Sequence, residues 1–122
     1  MMTKRVLVVE DVEDNRIIMR DLLASAGFEL LEARDGKAAL ETAQSQKPDL
    51  IMMDIQLPFL DGYEVTRRLK ADPGLCHIPI IAVTSYALSG DEERARAAGC
   101  DGYVTKPFSP RRLLAAVREF LG

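Results

Sequence analysis

Short runs of Val, Ile, Leu and Met recur along the chain, each followed by a polar turn and then by a segment with helical spacing. The runs fall at residues 6–9, 28–33, 50–53, 78–83 and 103–105. The one at 28–33 is weaker, and three are nearly continuous in apolar residues, as parallel strands covered on both faces are. The intervening segments carry helix punctuation. The first can start at Asp14 as N-cap, shows Ile18, Leu22, Leu23 and Ala26 on one face, and stops at Gly27. The second runs from about residue 36 to 46, turns Ala39, Leu40 and Ala43 inward, and is closed by Lys47-Pro48.

A third helix begins near Gly62, with Val65 and Leu69 four apart. The fourth opens on Ser89-Gly90-Asp91-Glu92, a capping-box pattern, and ends at Gly99 with an inner face that is mostly alanine. In the fifth, Ser109 is N-cap and Pro110 takes the first helical position, ahead of Leu113, Leu114, Val117 and Leu121. Five strand–helix units in strict alternation predict a doubly wound, open parallel sheet of five strands with helices on both faces. Ligands on such sheets bind beyond the carboxyl ends of the strands.

Length and composition narrow the reading. With 122 residues, 48% hydrophobic and 29% charged, the chain suits a single globular domain that needs no staples. A formal net charge of −3 and no Trp argue against a nucleic-acid binder, which normally presents a basic face or a stacking platform. Cys76 and Cys100 outline neither a disulfide framework nor a metal pair and read as packing residues in a reducing compartment. The apolar run after Arg5 is too short for a signal-peptide core or a membrane span, so the expected place is the cytoplasm without membrane insertion.

The chemistry gathers at the strand ends. Glu10-Asp11 follows the first strand, Asp54 the third, Thr84-Ser85 the fourth and Lys106-Pro107 the fifth. Three carboxylates in one pocket repel, at roughly 3 kcal/mol per pair for ~5 Å and an effective dielectric of ~20. Such a set needs protons or a cation, and hard oxygen donors with room for water suit Mg²⁺. A carboxylate beside a divalent ion and a lysine can act as nucleophile toward phosphorus, with Thr84 and Ser85 as donors to the phosphoryl oxygens. Asp54 is the best nucleophile: it follows the most continuous apolar run and precedes the turn Leu57-Pro58-Phe59-Leu60-Asp61-Gly62.

Val8-Val9-Glu10-Asp11, Met53-Asp54-Ile55-Gln56-Leu57-Pro58 with Asp61-Gly62, Val83-Thr84 and Lys106-Pro107 resemble, in order and over the whole chain, the motifs of response-regulator receiver domains. That family includes the chemotaxis receiver CheY, so the resemblance implies strand order 2-1-3-4-5. His77-Ile78-Pro79, Gly90-Asp91-Glu92-Glu93-Arg94 and Ala98-Gly99-Cys100 are most similar to single-domain regulators of the DivK type, which points toward cell-cycle or cell-division control. Receivers attached to hybrid histidine kinases share much of this pattern.

The resemblance implies that Asp54 accepts a phosphoryl group and that Asp11 holds Mg²⁺ directly. Glu10 would be its acidic partner, directly or through water, and the backbone carbonyl of Gln56 would complete the protein ligands. Thr84 corresponds to the switch hydroxyl, Tyr103 to the switch aromatic and Lys106 to the lysine that pairs with phosphate, with Ser85 beside it. The Lys106-Pro107 bond is expected to be cis. Glu10 departs from the family, many members of which have Asp at this position. The implied partners are a histidine kinase or histidine phosphotransferase, and a protein target read through the fourth helix, fifth strand and fifth helix. Residues 1–122 are expected to form one receiver without an output domain.

Each residue also has an ordinary reading. Glu10-Asp11 could cap the first helix, Asp54 could be a solvated strand end, Thr84 a plain β residue and Lys106 surface charge. Their joint placement at successive strand ends is what favours a site. His77 reads as a loop histidine, Arg94, Arg96, Arg111, Arg112 and Arg118 as solvated helix faces, and Tyr86 as a loop aromatic or a shield for an acyl phosphate. Two other classes meet the same residues. A metal-dependent aspartyl phosphatase would want a second acid where Gln56 stands, and a cap domain; a degenerate receiver would bind partners without phosphorylation.

Overall fold

The computed structural model describes residues 3–85 and 90–121. Ten elements alternate strictly: β1 (Arg5–Val9), α1 (Glu13–Ser25), β2 (Glu29–Ala33), α2 (Gly36–Gln46), β3 (Leu50–Asp54), α3 (Gly62–Ala71), β4 (Ile80–Thr84), α4 (Asp91–Ala98), β5 (Gly102–Thr105) and α5 (Pro110–Leu121). All strand pairs are parallel, and the sheet order is β2-β1-β3-β4-β5. The chain therefore starts in β1, steps outward to β2, and returns past β1 to β3, leaving a crevice beyond the carboxyl ends of β1 and β3.

Alternation along the strands divides the core. Val6, Val8, Leu50, Met52, Ile81, Val83 and Val104 face Met19 and Leu23 of α1 and Leu113 and Val117 of α5. Leu7, Val9, Ile51, Met53, Ile80 and Ala82 face α2, α3 and α4. Residues 50–54 and 80–84 are buried without interruption, as central strands must be. Among the described residues no helix is long and apolar enough to cross a membrane.

Several local expectations are corrected. The fourth strand begins at Ile80 rather than residue 78: Ile78 N–H closes a turn onto Leu75, and Pro79 has no N–H to give, though its carbonyl already accepts from Ile51. Asp54 and Thr84 are accordingly the last residues of β3 and β4 rather than the first beyond them. Helix α1 starts after Val12, with no side-chain cap, because Arg16 N–H already bonds the Val12 carbonyl. Asp14 instead joins Glu13 in the first turn, where it complements the dipole. The inward face of α1 is Met19 and Leu23, four apart, which leaves Ile18 58% exposed.

Cys76 is exposed, turned outward by the Asp72–Gly74 turn, whereas Cys100 is buried against Thr66. The N-cap of α4 is Gly90, in the left-handed region, so Asp91 opens the helix without a side-chain cap. Ser89 and Tyr86 lie outside the described residues. Helix α5 has the expected start, with Ser109 Oγ accepting from Arg112 N–H at 3.1 Å.

Candidate functional site

Four strand ends converge on one pocket. Glu10 follows β1, and its N–H still bonds the Ala33 carbonyl of β2 at 3.0 Å, so its side chain is held inside the edge and fully buried. Asp54 ends β3 and is 4% exposed, and Thr84 ends β4 and is also buried. Lys106 follows β5, with its N–H on the Thr84 carbonyl at 2.7 Å. Asp11, one residue past Glu10, is exposed to solvent. One carboxylate oxygen from each of Glu10, Asp11 and Asp54 lies within 4.8 Å of the others.

Among the described residues one cation answers this cluster: Lys106 Nζ forms a close ion pair with Glu10 and lies 3.5 Å from Asp54 Oδ2. Burial, reinforced by a hydrogen bond shared with Glu10, pushes the Asp54 carboxyl up to about 7. Burial also works to raise Glu10, but that bond from Asp54 and the contacts of Lys106 outweigh it and hold Glu10 at about 2. As pH falls through about 7 the metal-free Asp54 therefore takes up a proton that it can share with Glu10. Partial burial and the neighbouring Glu10 raise Asp11 as well.

The β3–α3 loop wraps the nucleophile position. Gln56 N–H donates to Asp54 Oδ1 at 2.9 Å, and Ser85 Oγ donates to Gln56 Oε1 at 2.7 Å. Gly62 N–H returns to the Ile55 carbonyl, and a Cβ at Gly62 would sit 2.5 Å from the Asp54 carbonyl oxygen, so only glycine permits this approach. Between them Phe59 takes a left-handed φ of 66° with its ring fully exposed. The Lys106–Pro107 bond is cis. Beside Lys106, Asn15, Ile18, Met19, Pro107 and Phe108 line an open groove of about 420 Å³.

Glu10, Asp11, Asp54, Gln56, Thr84, Ser85 and Lys106 therefore all meet at one edge. Tyr103 does not join them; it sits two residues before the end of β5, half-buried against the α2–α3–α4 core. On that side Arg94 is not simply solvated, because its guanidinium lies 4.8 Å above the Tyr63 ring. Arg16 also reaches this edge, its Nη1 donating to the Glu10 carbonyl at 2.9 Å. Nothing in the sequence flags a lone arginine five residues past an acid pair; only the turn into α1 brings it back.

The order β2-β1-β3-β4-β5, with acids just after β1 and at the end of β3 and a lysine after β5, narrows the choice of family. A family model for the response regulator receiver domain matches residues 6–118. This chain is a response regulator receiver domain. The receiver is 50% identical over 121 residues to the polar-differentiation response regulator DivK of Brucella ovis, a match that spans 99% of this chain and 98% of that protein. DivK of Brucella anthropi is 49% identical over the same lengths.

Among solved structures, the receiver domain of a sensor histidine kinase from Pseudomonas aeruginosa PAO1 is 36% identical, with a TM-score of 0.91 and 99% of each chain covered. That domain holds a magnesium ion coordinated in its active site cleft. The chemotaxis protein CheY4 of Vibrio cholerae gives a TM-score of 0.92 at 28% identity, covering 98% of this receiver and 99% of that chain. The chain is thus a two-component signalling module rather than a conventional enzyme.

Proposed function

We propose that this receiver takes a phosphoryl group from the phosphohistidine of a histidine kinase or phosphotransferase onto Asp54, with Mg²⁺ bound, and signals by changed protein contacts. The observation that carries the reading is a buried Asp54 set 3.5 Å from Lys106 and within 4.8 Å of the oxygens of Glu10 and Asp11. The donor set fits a hard divalent cation: three carboxylates, one of them open to water, carry more charge than Lys106 neutralises. Asp11, Asp54 and the Gln56 carbonyl would hold the ion, with Glu10 binding it directly or through water. Bound there, Mg²⁺ supplies charge neutralisation for the oxygens of the transferring group.

The protein's own residues do the remaining work. Asp54 must be ionised to attack, so its shared proton leaves first. Its carboxylate oxygen then bonds to phosphorus as the phosphorus–nitrogen bond of the donor breaks, and the electron pair leaves on the imidazole, which takes up a proton. Lys106 and the hydroxyls of Thr84 and Ser85 receive the phosphoryl oxygens. The product adds a charge of about −1.5 to −2 at the edge of the sheet. Thr84 and Lys106 turn toward it, and Tyr103 moves into the space that Thr84 leaves. Helix α4 buries only Ala95 and Ala98, the least apolar anchorage of the five helices, and is the element that shifts. The target reads the α4–β5–α5 face. The DivK relatives support a role in cell-cycle or cell-division control.

Phosphoramidate, a small donor with a phosphorus–nitrogen bond, tests the transfer by ³¹P NMR. The wild type consumes it with Mg²⁺ and accumulates an acyl phosphate; Asp54→Asn does neither. Equal consumption by the two proteins contradicts the proposal.

A further inference from the structure

Three consecutive carbonyls run through the loop that carries the acid pair, and all three end on one residue. The Val12 carbonyl accepts from Arg16 N–H at 3.1 Å. The Glu10 carbonyl accepts from Arg16 Nη1 at 2.9 Å, and the Asp11 carbonyl from the same nitrogen at 3.4 Å. The guanidinium is itself held: Nε lies 3.7 Å from Glu32 Oε1 on β2, and Glu32 Oε2 lies 3.8 Å from Nη1 of Arg20, one helical turn further along α1. The Arg16 side chain is 15% exposed, so these contacts are only partly screened.

Helix α1 has no side-chain cap at Val12. A helix entrance without a cap is free to fray, and here the entrance is also the loop that presents Asp11. Asp11 is exposed, so packing does little to fix its carboxylate. The planar fork of Arg16 does what a cap would do, and adds a tie to the neighbouring strand through Glu32.

We propose that Arg16 is a positioning residue for metal binding: it fixes the Glu10–Asp11 backbone so that the Asp11 carboxylate is preorganised toward Asp54, with Glu32 setting the guanidinium. The inference rests on the reading that Glu10, Asp11 and Asp54 form a Mg²⁺ site. Outer partners that orient ligands typically govern metal affinity by about tenfold or more. The sign of the effect separates positioning from charge. Arg16 is a cation beside a cation site, so by charge alone its removal would tighten Mg²⁺ binding. By position its removal loosens it.

The experiment is isothermal titration of the full chain with MgCl₂ for wild type, Arg16→Gln, Glu32→Gln and Asp11→Asn, with urea unfolding in EDTA alongside. Arg16→Gln is expected to weaken Mg²⁺ about tenfold and Glu32→Gln about threefold, the smaller loss leaving the guanidinium on its carbonyls but loosely aimed. Unfolding in EDTA checks that each variant is fully folded at the titration temperature, so that a loss of affinity reports on the site rather than on the folded fraction. Should Arg16→Gln fail to fold, Glu32→Gln carries the test. If the wild type binds Mg²⁺ and Asp11→Asn does not, but both other variants bind as tightly as wild type or tighter, the positioning role is overturned and the metal site stands. If the wild type itself takes up no Mg²⁺, the site reading fails, and this inference with it.

Discussion

The two ends of the sheet treat charge in opposite ways. Where the strands begin, the acids Asp49 and Asp101 each have a partner built into the fold. Asp49 accepts from Arg5 N–H at 2.8 Å, and Asp101 Oδ2 accepts from Ile80 N–H and pairs with Lys70 Nζ, both at 2.9 Å. Lys70 also donates to the carbonyls of Cys76 and Ile78. Where the strands stop, Glu10 and Asp54 are buried beside Asp11 with Lys106 as their cation. The matched end ties α3, β4 and the α4–β5 connection together. The mismatched end leaves a demand for positive charge that a divalent metal ion can answer. Like residues are thus fully paired at one end and short of cations at the other, and the number of partners tells the two ends apart.

The matched end should yield the largest stability loss. Lys70→Met removes a charged donor from two carbonyls and a carboxylate and is expected to cost about 2 kcal/mol in urea unfolding. It should leave Mg²⁺ affinity within roughly twofold of wild type, since the ends share no partners. A tenfold change in affinity would break the comparison.

At the mismatched end the same measurement should move the other way. The folded pKa of Asp54, about 7, lies above its ordinary 3.8, so the folded chain keeps a proton that the unfolded chain has released. Stability is therefore lost as pH rises from about 4 to about 7, and stays low above that. Glu10 acts oppositely: held near 2 against an ordinary 4.5, it adds stability that is lost only as pH falls through that lower range. Asp54→Asn should thus stabilise the metal-free protein by on the order of 2 kcal/mol near pH 8, and by much less near pH 5. Unfolding in EDTA at both pH values checks it.

Magnesium sharpens the contrast further. Binding must expel the proton that Asp54 shares with Glu10, so affinity should rise by up to about tenfold per pH unit below pH 7 and level off above it. Calorimetry in buffers of different ionisation enthalpy would detect the released proton. The smallest effect belongs to Phe59, whose left-handed backbone and fully exposed ring lie in the loop around Asp54. Phe59→Asn should relieve that conformation and add about 0.5 kcal/mol.

Much of this is legible in the sequence. Strand–helix alternation predicted the architecture, because continuous Val, Ile and Met runs with Gly and Pro punctuation leave few other arrangements. The acids and lysine stood out by their place after each apolar run. Element edges were less legible. Pro79 delays β4, and α1 begins after Val12, without a side-chain cap, rather than at Asp14. Side-chain direction also escaped the sequence: one residue of rotation on α1 exposes Ile18 and buries Met19. Contacts that depend on a return path, such as Arg16 to the Glu10 carbonyl and Arg94 over Tyr63, leave no periodic trace at all.

The most direct test of the central claim is the intact mass of the protein after incubation with acetyl phosphate, for wild type and Asp54→Asn, with and without Mg²⁺. A single phosphoryl gain by the wild type that requires Mg²⁺ and vanishes in Asp54→Asn is the predicted result. The same gain in Asp54→Asn, or none in the wild type while a control receiver is labelled, would contradict the account.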